Sequence, residues 1–188
     1  MRATECYHAP RMNAAGIRLI ISDVDGVWTD GKIIYSGERG EVKEFNVRDG
    51  LAVKLAQRAG ITVALLTSRH SHALERRARE LGIVELHQGA ASKLEATERI
   101  ALRLAIPFEQ ILYAGDDLPD LAPMMRVAIS AAPSDAAPEV RGAATWKLDS
   151  AGGAGVFREI VERLLRERGQ WEGLIREYAN GKSDASSI

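Results

Sequence analysis

From Ile17 onward, five short apolar runs alternate with stretches of helical spacing, and this alternation limits the fold more than any other feature of the chain. The runs are Ile17–Ile21, Ile61–Leu66, Ile83–Leu86, Ile111–Ala114 and Val127–Ser130. Between them lie an amphipathic stretch from Leu51 to Ala59 closed by Gly60, a helix opened by Ser71 or His72 and stopped at Gly82, and a helix capped by Ser92 that ends near Leu104. A shorter helical piece covers Leu118–Met125, and a long amphipathic helix runs from Val156 to about Arg168. Strands that alternate with helices pair in parallel, because each helix carries the chain back to the starting edge of the sheet. The expected fold is therefore α/β, a Rossmann-like parallel sheet flanked by helices.

One interruption follows the first strand. Lys32–Tyr35 and Glu41–Val47 are strand-like and flank a loop of hairpin length, so a β-hairpin insertion is expected over residues 32–47. Asp25 and Leu51 are too close in sequence to admit a separate cap domain, so the fold is expected to be capless. The domain expectation is a loosely ordered lead-in over 1–16, one catalytic domain over 17–168, and a C-terminal tail over 169–188.

Composition removes several partner classes. With 46% hydrophobic and 27% charged residues the chain resembles a folded globular protein, not a disordered one. Lys and Arg number 25 against 26 acidic residues, so no global basic field points to nucleic acid or to a membrane surface. No apolar run approaches membrane-spanning length, and a lone Cys6 forms no intramolecular disulfide, which leads to the expectation of a soluble, cytoplasmic protein acting on a small molecule.

The chemistry-bearing residues cluster where strands end. Asp23 and Asp25 follow the first apolar run directly, and Asp116, Asp117 and Asp120 follow Ile111–Ala114 in the same way. In open parallel sheets, ligands bind beyond the carboxyl ends of the strands, so both clusters point to one edge. Either cluster alone also reads as an Asp-rich turn or an acidic helix start. Two together repel unless a cation neutralises them, and an all-oxygen ligand set favours magnesium. Thr67, Ser68 and Arg69 close the Ile61–Leu66 run, where a hydroxyl and freed backbone N–H groups can receive phosphate oxygens. Lys93 opens a helix near the same edge and can lie against a bound phosphate, although most such lysines are simply solvated.

In chain order, Asp23-Val24-Asp25-Gly26-Val27, then Thr67, then Lys93, then Gly115-Asp116-Asp117 with Asp120 resemble the four motifs of haloacid dehalogenase phosphatases. Further matches at Trp28–Gly31, Phe45–Gly50, Gln88-Gly89 and Gly152–Gly155 with Arg158-Glu159 extend the resemblance over about Ile17–Leu165. The group resembled is that of the 3-deoxy-D-manno-octulosonate 8-phosphate phosphatases and their relatives acting on nonulosonate 9-phosphates. Ser68, His70, Trp28 and Pro119 depart from the group's usual pattern.

The resemblance implies that Asp23 is the nucleophile and that Asp25 serves first as acid, then as base. Magnesium would be held by Asp23, the backbone carbonyl of Asp25 and Asp116, with Asp117 and Asp120 behind them or as additional ligands. Thr67, Ser68 and Lys93 would receive the phosphate. Arg69 and Arg77 would contact the sugar acid, although Arg77 lies on a charge-rich helix and reads equally well as a solvated arginine. The group also implies a homotetramer assembled through the hairpin. Two rivals remain: a phospho-receiver or binding module, which needs no acid two residues beyond its phosphorylated Asp, and a phosphomutase, which needs a cap.

Overall fold

The apolar runs form one parallel sheet in the computed structural model, which describes residues 14–36 and 40–181. The strands are β1 (Leu19–Ser22), β4 (Thr62–Leu66), β5 (Glu85–His87), β6 (Ile111–Ala114), β7 (Ile129–Ala132) and β8 (Trp146–Lys147). A separate antiparallel pair, β2 (Ile34–Tyr35) with β3 (Glu41–Val42), is the hairpin. The six-stranded order is β5-β4-β1-β6-β7-β8, with every neighbouring pair parallel. The chain builds outward from β1 to one side and then crosses to β6 on the other, which makes the β1/β6 boundary the topological switch point where a crevice opens.

Seven helices complete the layers among the described residues: α1 (Val47–Arg58), α2 (His72–Leu81), α3 (Lys93–Leu104), α4 (Leu121–Met124), α5 (Pro138–Ala143), α6 (Val156–Glu167) and α7 (Trp171–Ala179). Alternate strand side chains enter opposite cores. Ile20, Val63, Leu65, Leu112 and Ile129 pack with residues of α1, α2 and α6, whereas Leu19, Ile21, Ala64, Leu66, Ile111 and Tyr113 pack with residues of α3, α4 and α5. Both faces are covered, which is why the strands read as continuous apolar runs.

Local chemistry sets the helix limits. The Ser71 side chain accepts from Leu74 N and the Ser92 side chain from Glu95 N, so each serine satisfies a backbone donor left free at a helix start. Gly82 ends α2 at φ +68°, a left-handed conformation that suits glycine. No helix among the described residues is long and apolar enough to cross a membrane.

Several boundaries differ from the expectations. The second hairpin strand stops at Val42 instead of Val47, because the Asn46 side chain accepts from Arg48 N and starts α1 four residues before Leu51. The strands expected at Ile83–Leu86 and Val127–Ser130 lie at Glu85–His87 and Ile129–Ala132, where pairing with β4 and β6 begins. The stretch expected as a tail over 169–188 contains α7, anchored by Trp171, which is 4% exposed and lies under the guanidinium groups of Arg158 and Arg166. Of the lead-in, residues 1–13 lie outside the described residues, but Ala14–Gly16 form a 3-10 turn whose Ala14 carbonyl accepts from Arg168. Residues 182–188 also lie outside the described residues.

Candidate active site

Asp23 leaves β1 and Asp116 leaves β6 at the switch point, and the two carboxylates meet at the floor of a cleft of about 310 Å³. Asp25, Thr67, Ser68, Arg69, Lys93 and Asp117 also line it. The approach is close because residue 26 has no side chain: a β-carbon on Gly26 would lie 2.0 Å from Asp116 Oδ2. The turn carrying Asp25 is braced from behind by Gly152 and Gly153, and Gly153 N donates to Val27 O at 3.1 Å.

Lys93 ties the two acidic clusters together. Its Nζ lies 2.9 Å from Asp23 Oδ1 and 2.7 Å from Asp120 Oδ1, and its side chain is almost fully buried. Burial opposes its charge, but Asp23 and Asp120 together outweigh that and raise its pKa. Asp120 is fully buried and its oxygens are committed: Tyr113 Oη donates to Oδ1 at 2.8 Å, and the backbone N–H groups of Asp116 and Asp117 donate to Oδ2 at 3.3 and 3.4 Å. Burial and then Asp120 raise the Tyr113 phenol, so it stays a neutral donor. Asp120 is thus a positioning residue for Lys93 and for the turn that carries Asp116.

One oxygen each from Asp23, Asp116 and Asp120 falls within 4.8 Å of the others. Burial first, and then the charge of Asp120, push the Asp23 carboxyl well above the ordinary range against the pull of Lys93. Burial and then Asp120 likewise raise Asp116 to about 6. Three crowded carboxylates share one ammonium, and the deficit of positive charge is what a divalent cation would supply. With Asp120 occupied, Asp23 and Asp116 are the carboxylates open to such an ion. The donor set contains oxygens only, without His or Cys, so a hard cation fits it.

On the opposite wall, Thr67 Oγ1 lies 3.4 Å from Asp25 Oδ2 and accepts from Arg69 N at 3.1 Å. Ser68 is exposed to the cleft. Arg69 Nε lies 4.0 Å from Asp25 Oδ2, buried and without a hydrogen-bond partner. Arg77 is not brought into this cleft. Its guanidinium packs on Gly50, where a β-carbon would meet Nη2 at 2.3 Å, and it lines a neighbouring depression with Phe45 and Val47. Two residues absent from the sequence reading do reach the site: Lys43 pairs with Asp25 Oδ1, and Glu41 Oε2 receives Arg69 Nη2 at 2.7 Å. Neither carries a local signal, since both read as ordinary polar residues of an exposed hairpin.

Comparison with known proteins shows the family of the chain. The haloacid dehalogenase-like hydrolase family matches residues 77–160. The 3-deoxy-D-manno-octulosonate 8-phosphate phosphatase KdsC of Salmonella typhi is 44% identical over 158 residues, covering 84% of both chains. The chain belongs to the 3-deoxy-D-manno-octulosonate 8-phosphate phosphatase family. As a member of that family it is a phosphatase with a haloacid dehalogenase-like fold. The Yersinia pestis phosphatase structure superposes with a TM-score of 0.83 at 41% identity, covering 85% of this chain and 86% of that one. The Moraxella catarrhalis phosphatase, solved with a magnesium ion, a phosphate ion and a KDO molecule, superposes with a TM-score of 0.85 at 34% identity over 88% and 95% of the two chains.

Proposed function

We propose that this phosphatase hydrolyses 3-deoxy-D-manno-octulosonate 8-phosphate to the free sugar acid and phosphate through an aspartyl phosphate on Asp23. The observation that carries the proposal is the position of Asp23, buried between Lys93 and Asp116 at the cleft floor with Asp25 above it. An Asp23 oxygen attacks phosphorus, and the phosphorus–ester bond breaks as Asp25 gives its proton to the departing alkoxide. Asp25 then removes a proton from water as that water attacks phosphorus and releases Asp23. Lys93 and the Thr67 and Ser68 hydroxyls receive the phosphoryl oxygens, which is most of what phosphoryl transfer asks of a protein.

Asp23, the Asp25 carbonyl and Asp116 would hold magnesium, which when bound neutralises the charge of the nucleophile and the phosphate. Asp117 lines the same cleft, exposed, with its Oδ1 accepting from Leu118 N, and would act as an additional or supporting ligand. Arg69 Nε, a buried donor without a partner, suits the carboxylate or a hydroxyl of the sugar acid. Arg77 lies farther out, in the adjoining depression.

The assembly belongs to the same proposal: a homotetramer joined through the 32–47 hairpin of a single 17–168 domain. Ile33, Ile34, Tyr35 and Val42 expose apolar surface there, from 41% to 79% of each residue, and the two-residue strands of the hairpin are marginal alone. Trp28, Tyr35 and Phe45 are the aromatic candidates for that contact, and of these Trp28 packs within its own subunit: it is 1% exposed, donates to Ser22 Oγ and lies against Phe157.

The test is phosphate release with magnesium from octulosonate 8-phosphate, nonulosonate 9-phosphates and hexose phosphates, by wild type and Asp23→Asn. The octulosonate ester is expected to give the highest kcat/KM, and the variant to be inactive. A preference for a nonulosonate ester would reassign the substrate, and a preference for a hexose phosphate would remove the sugar-acid reading. Activity in the variant above about a tenth of wild type would remove Asp23 as nucleophile.

A further inference from the structure

The hairpin is mostly exposed, yet the Lys43 side chain, next to its second strand, is 1% exposed. Lysines are rarely buried without a paired charge. Here Nζ contacts Asp25 Oδ1 and lies 2.8 Å from Glu41 Oε1. Glu41 Oε2 receives Arg69 Nη2, and Arg69 Nε returns to within 4.0 Å of Asp25 Oδ2. Asp25, Lys43, Glu41 and Arg69 therefore form a closed ring of alternating charge in which the hairpin supplies two members and the cleft the other two.

We infer that Lys43 is a positioning residue for the reaction: by holding Oδ1 it fixes the Asp25 carboxylate so that Oδ2 faces the Thr67 side of the cleft. Oδ2 is then the oxygen that exchanges protons with the leaving group and with water. An aspartate without this contact rotates about two bonds, and small departures from reactive geometry cost large factors in rate. The inference rests on the assignment of Asp25 as acid and base.

A displaced Asp25 impairs the two chemical steps unequally, depending on the leaving group. An alkoxide needs the proton as the phosphorus–oxygen bond breaks. p-Nitrophenolate leaves with the electron pair and needs none, so Asp23 is still phosphorylated. Water attack on that aspartyl phosphate still needs Asp25 as base. The experiment compares wild type, Lys43→Met and Lys43→Arg on octulosonate 8-phosphate and on p-nitrophenyl phosphate in rapid mixing, with folding and assembly checked by thermal melting and light scattering.

Lys43→Met is expected to lose about 100-fold in kcat on the sugar ester. On p-nitrophenyl phosphate it is expected to show a burst near one nitrophenolate per subunit, followed by slow turnover. Lys43→Arg should recover most of the rate and abolish the burst. A folded Lys43→Met that keeps kcat within about threefold, or that loses both substrates equally without a burst, would show that Lys43 only anchors the hairpin and would overturn the proposal. If Lys43→Met does not fold, Lys43→Gln is read by the same two criteria. Failure of the parent assignment looks different: Asp25→Asn would then keep kcat on the sugar ester within about threefold of wild type, and both readings would fall together.

Discussion

Asp116 occupies the space that a side chain on Gly26 would need. The ideal β-carbon of residue 26 falls 2.0 Å from Asp116 Oδ2, and the glycine sits at φ +88°. Gly26→Ala is expected to push Asp116 off Asp23 and to lower kcat/KM by about 100-fold or more. Gly60→Ala is the control for backbone strain alone, since Gly60 has φ +74° with nothing within 4 Å of its added carbon. It should lose stability but keep its rate. Equal activity in the two variants would show that the Asp23–Asp116 approach does not matter.

Chelation is expected to stop turnover, magnesium to restore it, and calcium, with its looser coordination, to inhibit. The affinity should depend on pH in a fixed direction. Asp116 is raised to about 6 and Asp23 is raised well above its ordinary value, so toward acid pH, in the absence of metal, both hold protons that a cation must displace. Magnesium affinity should fall as pH drops through about 6, and binding should release protons. Titration calorimetry in buffers of different ionisation enthalpy reads both. Full activity after exhaustive chelation, or affinity that increases toward acid pH, would contradict the reading.

Asp49 offers a stability test away from the metal ligands. Its Oδ1 accepts from Arg158 N at 2.7 Å, at the start of α6, while its buried Oδ2 has no partner. Burial raises it from 3.8 to about 6, against the pull of backbone N–H groups and of Arg77 and Arg158. The folded state then binds this proton more tightly than the unfolded one. The resulting stabilisation is complete below 3.8 and is lost as pH rises through about 6. Asn does not titrate, so the stability of Asp49→Asn relative to wild type should rise between those pH values, by up to ~3 kcal/mol. Denaturant unfolding of both proteins across pH measures it, and a flat difference would refute it.

Ile34→Ser combined with Tyr35→Ser should leave a folded chain and dissociate the proposed tetramer, since both residues belong to the exposed hairpin and neither lines the cleft. Light scattering after size exclusion reads the assembly. A wild-type monomer with full activity at micromolar concentration would remove the hairpin as an assembly element.

The helix limits show which signals are local. Ser71, Gly82 and Ser92 act on backbone groups within a few residues, and α2 and α3 lie between the positions those residues mark. The hairpin limit was less legible, because β-branched Val47 reads as strand until the Asn46 cap is weighed against it. The α7 helix was missed for a different reason. It is held by Trp171 beneath Arg158 and Arg166, which is tertiary packing and not a pattern within its own nine residues.

Sequence alone determined the αβ alternation and the delivery of Asp23 and Asp116 to one sheet edge, because strand period, caps and turn residues act over short distances. Thr67 and Lys93 were legible for the same reason, since each begins or ends an element recognisable by itself. Tertiary structure decided which of these groups touch. It committed Asp120 to Lys93, Tyr113 and two backbone donors, left Arg77 outside the cleft, and brought Lys43 to Asp25 across 18 residues of chain. Such contacts depend on how a hairpin folds back over a sheet edge and on which buried charges find partners there. Those are long-range balances of desolvation and pairing, and no local spacing encodes them.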